Sequence, residues 1–229
     1  MLTAIALTPS APVLVPELAG GASQEVAQIR DGALRAARML PDRWIAVGVG
    51  DDDAVIGPGV AGSFAGYGFD VPVALGPDVT EAARVLPLCA LFAGWLRGQV
   101  NPRASVQVRV LAASTPDTAA TERGRELREE IDRAGEPIGV LVVADGALTL
   151  TPAAPGGYDA DAAEVQRRLD EALGSADVSA LRNVSDTVSG RAAYQMLAGL
   201  AGGTHWSAAE FARDGQYGVG YFAGVWTPA

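Results

Sequence analysis

No apolar run in this chain is longer than a buried strand. Each run breaks at a polar or glycine-rich turn, and amphipathic stretches lie between them. TAIAL (residues 3–7), WIAVGVG (44–50), VPVAL (71–75), SVQVRVL (105–111), IGVLVVADG (138–146) and QYGVGYFAGVW (216–226) read as strands. IGVLVVADG is the most apolar and is expected at the sheet centre, covered on both faces. Val26, Ile29, Ala33, Ala37 and Leu40 recur at three- and four-residue steps. They predict a helix over 23–40 with Ser23 as its cap. Further helices are expected over 80–97 around Pro87, 117–135, 159–174 and 190–203. Strands alternating with helices predict one sheet with helices on both faces. No repeat, low-complexity tract or linker divides the 229 residues, so a single domain over 1–229 is expected.

Composition removes several functions. The net charge of −10 opposes nucleic-acid binding, which needs clustered cations, and opposes an anionic membrane surface. The opening MLTAIALTPSAPVLVPEL lacks a basic n-region and is interrupted by Pro9, Pro12 and Pro16. It reads as neither a signal peptide nor a membrane span, and a cytoplasmic protein is expected. All 17 basic residues are arginine, which excludes a lysine Schiff base and a phosphate-loop lysine. His205 is the single histidine and Cys89 the single cysteine. Sites built on two histidines, an intrachain disulfide and a cysteine zinc cage are therefore excluded. Asn183-Val184-Ser185 fits a glycosylation sequon, to which no secretion signal gives meaning.

In folds of this class ligands collect beyond the carboxyl ends of the strands, which singles out TPSAP, DDD and ADGALTLT. Asp51, Asp52 and Asp53 end the second strand. Adjacent carboxylates there can hold Mg²⁺, Mn²⁺ or Ca²⁺, and like-charge repulsion can raise one pKa for acid/base work. The competing reading is a polar turn. Asp51 and Asp52 are the metal candidates. Asp145 ends the central strand, and it shares a rim with the aspartate run if the two strands are parallel neighbours. His205 offers a general base near neutral pH. Ser10, Ser189 and Ser207 are available nucleophiles, although no GxSxG elbow is present. Asp145, His205 and Ser10 are accordingly the catalytic candidates. GVGDDD is rejected as a dinucleotide loop, because it lacks the third glycine and three carboxylates repel a pyrophosphate. Tyr217, Val219 and Tyr221 alternate onto one face of the closing strand, which favours sheet packing over an aromatic cage.

Several segments together resemble the class III extradiol dioxygenase (LigB-like) superfamily and its Memo-like branch. ALTPSAPVLVPEL resembles the first strand and proline-containing loop of that fold. WIAVGVGDDD stands where the second metal-bearing strand belongs. LPLCALFAGWL resembles the segment after the glycine-rich crossover. VLVVADGALTLTPAAPGGYDADAAEVQRRL is similar to the Memo-like strand, turn and helix. SGRAAYQMLAGL is similar to that branch's Cys-Gly-Arg-x-Pro helix start, and YGVGYFAGVW to the close of uncharacterised actinobacterial members. The resemblance implies a three-layer α/β/α sandwich around a mixed, mostly parallel sheet. Active members hold Fe(II) through two histidines and a glutamate and open catechol rings with O₂. Here Ser10 stands where a ligand histidine belongs, aspartates follow the second strand, and Ser189 replaces the branch's cysteine. His205, in GGTHW, loosely matches the run around the family's acid/base histidine. Ser189, Arg191 and Tyr217 are the expected substrate-binding residues.

Two readings follow. One is a LigB-like domain that has lost its iron site and serves as a small-molecule-binding or structural protein. The other is a divergent enzyme with a carboxylate-rich pocket, with or without a metal. No organic cofactor is implied, a divalent ion stays open, and a homo-oligomer is compatible with both.

Overall fold

The computed structural model describes residues 1–229 and is a three-layer α/β/α sandwich. In chain order the strands are β1 (Leu2–Thr8), β2 (Arg43–Gly50), β3 (Ala54–Ile56), β4 (Ala61–Ser63), β5 (Pro72–Ala74), β6 (Ser105–Ala112), β7 (Ile138–Val143), β8 (Trp206–Asp214) and β9 (Tyr221–Pro228). The helices are α1 (Pro16–Ala19), α2 (Ala27–Arg38), α3 (Leu88–Val100), α4 (Asp117–Arg133), α5 (Ala162–Ser175), α6 (Val178–Leu181) and α7 (Arg191–Ala201). Seven strands form one mixed sheet in the order β3-β6-β2-β7-β1-β9-β8, and β4 and β5 form a separate hairpin. The four inner strands β6, β2, β7 and β1 are parallel, while β3, β9 and β8 run antiparallel to their neighbours.

Side-chain alternation divides the core in two. Val106, Val108, Val110, Leu141 and Val143 face one layer with α2, α3 and the β4–β5 hairpin. Leu7, Val140, Val142 and Leu111 face the other with α4, α5 and α7. All six residues of β7 are buried, as its unbroken apolar run requires in a central parallel strand. Cys89 lies in the first core layer. A Cβ placed on Gly48 would stand 2.3 Å from the Cys89 Cβ, so only glycine lets α3 seat against β2. Burial pushes the Cys89 thiol up to about 12.

Four local expectations are corrected. The helix expected over 80–97 begins only at Leu88. Pro87 is itself extended (φ −62°, ψ 153°), its ring disfavours helix at Leu86 before it, and residues 77–87 are irregular. Ser23 does not cap α2, which starts at Ala27 behind Val26; Ser23 instead accepts hydrogen bonds from Arg30. The closing strand begins at Tyr221, because Tyr217 lies in a turn with φ 59°. β8 has no counterpart among the expected strands.

Candidate functional site

Parallel pairing brings Leu7 opposite Val142, Val143 opposite Gly48 and Val49 opposite Leu111. The carboxyl ends of β1, β2, β6 and β7 therefore share one rim. Asp145 lies near its centre and the aspartate run lies at its β2–β6 side. The start of β9 closes the other side, since Leu7 pairs with Gly224.

Asp145 follows β7 and is fastened by three segments. The Ser10 N–H after β1 donates to its Oδ1 at 2.7 Å. Its carbonyl accepts the Gly190 N–H at 2.9 Å and the Ser189 hydroxyl at 3.3 Å. The segment after it is pinned to the residue just before β9, with Gly146 N–H donating to Gly220 O and Gly220 N–H to Ala147 O. The Asp145 side chain keeps partial solvent exposure, yet protein surrounds it closely. That desolvation raises its pKa to about 6, against the opposing pull of the Ser10 N–H.

Two buried phenols stand in the field of this carboxylate. Tyr194 donates its hydroxyl to Ala144 O at 2.9 Å; burial, then Asp145 and Asp170, push its pKa well above the usual tyrosine value. Tyr221 is raised first by burial and then by Asp145. Both therefore stay protonated, and Tyr194 acts as a donor. Behind them Gln166 of α5 accepts from Ala147 N–H at 2.9 Å and donates to Asp170 at 2.7 Å. Asp170 is also raised to about 6, first by burial. A Cβ on either Gly146 or Gly220 would meet the Gln166 Oε1 at 2.0 Å, so both glycines are required for this amide to dock.

The aspartate run has a different character. Asp53 accepts a bidentate pair from Arg123 of α4, at 2.8 and 2.7 Å, and the Ala112 N–H at 2.8 Å. The Arg123 guanidinium and then that N–H lower its pKa to about 2. Asp51 and Asp52 are exposed. Nowhere do three or more His, Cys, Asp or Glu side chains gather as metal ligands. The expected metal pair Asp51 and Asp52 thus gains no third donor: consecutive residues of a turn point apart, and Asp53 is taken by Arg123.

His205 is exposed and precedes β8 at the opposite rim. Trp206 pairs with Pro228, whereas Asp214 pairs with Tyr221 beside the Asp145 rim. The eight residues of β9 span the gap, roughly 23 Å at 3.3 Å per step. The expected combination of His205 with Asp145 or a serine nucleophile is therefore overturned by the antiparallel course of β8. Arg191 is also committed elsewhere. It forms an ion pair with Asp117 and donates to Ala113 O, Thr115 O and Gln195, joining α7 to the loop before α4. Tyr217 is exposed and donates its hydroxyl to Glu25. Of the expected residues, Ser10, Asp145 and Ser189 meet; Arg191, Tyr217 and His205 do not join them.

The sequence alone does not single out Gln166, Asp170, Tyr194 or Arg123. A signal existed for two of them. Gln166 and Asp170 are polar residues four apart on the same buried face of α5 as Leu169 and Leu173. A polar pair on a buried stripe has to be satisfied internally.

Next to the aspartate run, α4 leaves part of the β3–β6 surface uncovered. The result is a cleft of about 360 Å³ lined by Val55, Leu111, Leu127 and Met196 among others. Two ion pairs to α4 border it, Asp53–Arg123 from the β2–β3 turn and Arg109–Glu130 from β6. Arg123 and Glu130 are two helical turns apart, so these borders stand about 10 Å apart along α4.

A scan of protein-family models and a search of curated proteins both find no match for this chain. Among solved structures, the crystal structure of uncharacterized protein JW3007 from Escherichia coli K12 is similar. The two superpose with a TM-score of 0.56 over 98% of this chain and 99% of that one, at 10% sequence identity. The likeness is one of fold.

Proposed function

We propose that this chain is a LigB-like, Memo-like domain that has lost the Fe(II) extradiol dioxygenase site and serves as a small-molecule-binding or structural protein. The observation that carries the reading is the scatter of donors around the rim. Iron of that kind requires imidazole and carboxylate ligands on one face with open positions. Here the one histidine stands at the other rim, Asp145 is bound to Ser10 N–H, and Asp53 is paired with Arg123. The residues do not fit the iron. A small ligand would enter the α4 cleft, whose volume suits a compact organic molecule and whose lining combines apolar side chains with the charged Asp53, Arg109, Arg123, Glu126 and Glu130.

The test combines metal-dependent thermal melts with oxygen uptake. Protein purified without a tag should show no rise in Tm with Fe²⁺, Mn²⁺, Zn²⁺ or Mg²⁺, and no O₂ consumption with catechols and Fe²⁺. Stoichiometric iron binding with O₂ uptake sinks the proposal. One observation favours a second reading, a divergent metal-independent enzyme. Asp145, with a pKa near 6 and two protonated phenols close by, has the properties of a general acid or base. Activity with a pH profile breaking near 6 and abolished by Asp145→Asn is the outcome that separates this reading from the first.

A further inference from the structure

Exposed apolar residues are unevenly spread over this molecule. Of nine large hydrophobic side chains that are exposed, four (Tyr67, Phe69, Val79 and Val85) fall within residues 67–85. Phe69 is 59% exposed and Val85 98%. Isolated exposed hydrophobics are ordinary, but a concentration of them marks a contact surface. The segment is anchored beneath. Thr80 and Glu81 donate their N–H groups to Gly59 O, and Arg84 donates to Ala61 O, so residues 80–84 flank β4 on the side away from β5. Leu86 is buried and packs over Gly62. The exposure of Val85 is thus a consequence of local backbone pairing. Over this segment and the β4–β5 hairpin lies an open groove of about 940 Å³, with Tyr67, Pro72, Val85 and Leu91 among its lining residues.

The groove also carries one charge of each sign. Asp70, which accepts the Ser63 hydroxyl at 2.5 Å, stands at the hairpin turn, and Arg84 stands across β4 from it. Both line the groove, and neither forms an ion pair within the chain. In a two-fold contact the same patch faces itself, and residue i of one copy meets residue j of the other twice. A patch with an apolar middle, one free cation and one free carboxylate is complementary to its own copy. We propose that this surface is an isologous homodimer interface. Phe69, Tyr67 and Val85 bury against their counterparts, and Asp70 of each copy pairs with Arg84 of the other.

The experiment is sedimentation velocity on the full chain with a charge-swap cycle. At about 100 µM the protein should sediment at twice the 23.4 kDa chain mass and dissociate on dilution. Val85→Glu should weaken the dimer more than about tenfold, since it places an unpaired charge among the apolar residues that line the groove, and Phe69→Glu, at an exposed position beside the groove, should weaken it less. Asp70→Arg and Arg84→Asp should each weaken it about tenfold through like-charge contact, and the double variant should restore it. All four side chains are exposed, so the monomer fold should keep its melting temperature. A monomer at every concentration overturns the proposal. So does a dimer that these substitutions leave unchanged, or a double variant no stronger than the singles.

Discussion

Asp53 and Asp145 follow neighbouring strands of one sheet and end on the same rim, yet they have opposite electrostatics. Asp53 is exposed, held by a guanidinium and a backbone N–H, and its pKa falls to about 2. Asp145 is enclosed with one N–H donor and no cation, and its pKa rises to about 6. A strand-end position does not by itself set a carboxylate's chemistry. What sets it is whether a cation or only protein atoms surround the group.

The largest expected effect comes from loosening the cover over Asp145. Gly220→Ala would drive a methyl into the Gln166 amide, which cannot move without releasing the Ala147 N–H and Asp170. A loss of about 3 kcal/mol is expected in urea unfolding, together with a fall of the Asp145 pKa toward the ordinary value as water enters. A cost below 1 kcal/mol would show that the Gln166 dock is soft.

Next is the pH dependence. Asp145 and Asp170 both have folded values near 6, above the unfolded value near 3.8. Their protonated forms fit the fold better, so this contribution is complete below about 4 and is lost as pH rises through about 6. The loss reaches at most about 1.4 kcal/mol per pH unit for each group within that window. Asp145→Asn keeps the acceptor for Ser10 N–H and cannot ionise, so it should be more stable than wild type at pH 7.5 and equal to it near pH 4. Denaturant midpoints across pH 4–8 would show this, and parallel curves for the two proteins would refute the assignment.

Asp53 should give the smallest effect, with the opposite sign. Its depressed value means the contribution is present above about 3.8 and is lost as pH falls toward 2. Because the pair is exposed, Asp53→Asn at pH 7 should cost less than about 1 kcal/mol and matter less in high salt. A larger, salt-independent loss would make the pair a structural clamp between the β2–β3 turn and α4.

The contrast between the two aspartates was not legible in the chain, although the strands that carry them were. β7 and β2 announce themselves as apolar runs of strand length ending in polar turns, and these set the rim. β8 did not, because WSAAEFARD is rich in Ala, Glu and Arg, which favour helix. Its strand state comes from pairing with β9, which local preference does not report. The same pairing carried His205 to the far rim, so the error at the site and the missed strand have one cause. Arg123 was hidden for a related reason: it lies 70 residues from Asp53 and looks like one of many charges on a polar helix.

Cys89 gives the molecule a built-in clock. The thiol is the only one in the chain, it is buried against Gly48 with no room to spare, and its thiolate is suppressed. An alkylating reagent can therefore reach it only when α3 lifts from β2. The rate at which a maleimide labels the native protein therefore reports those openings through the chain's own thiol, and where it becomes independent of maleimide concentration it equals the opening rate.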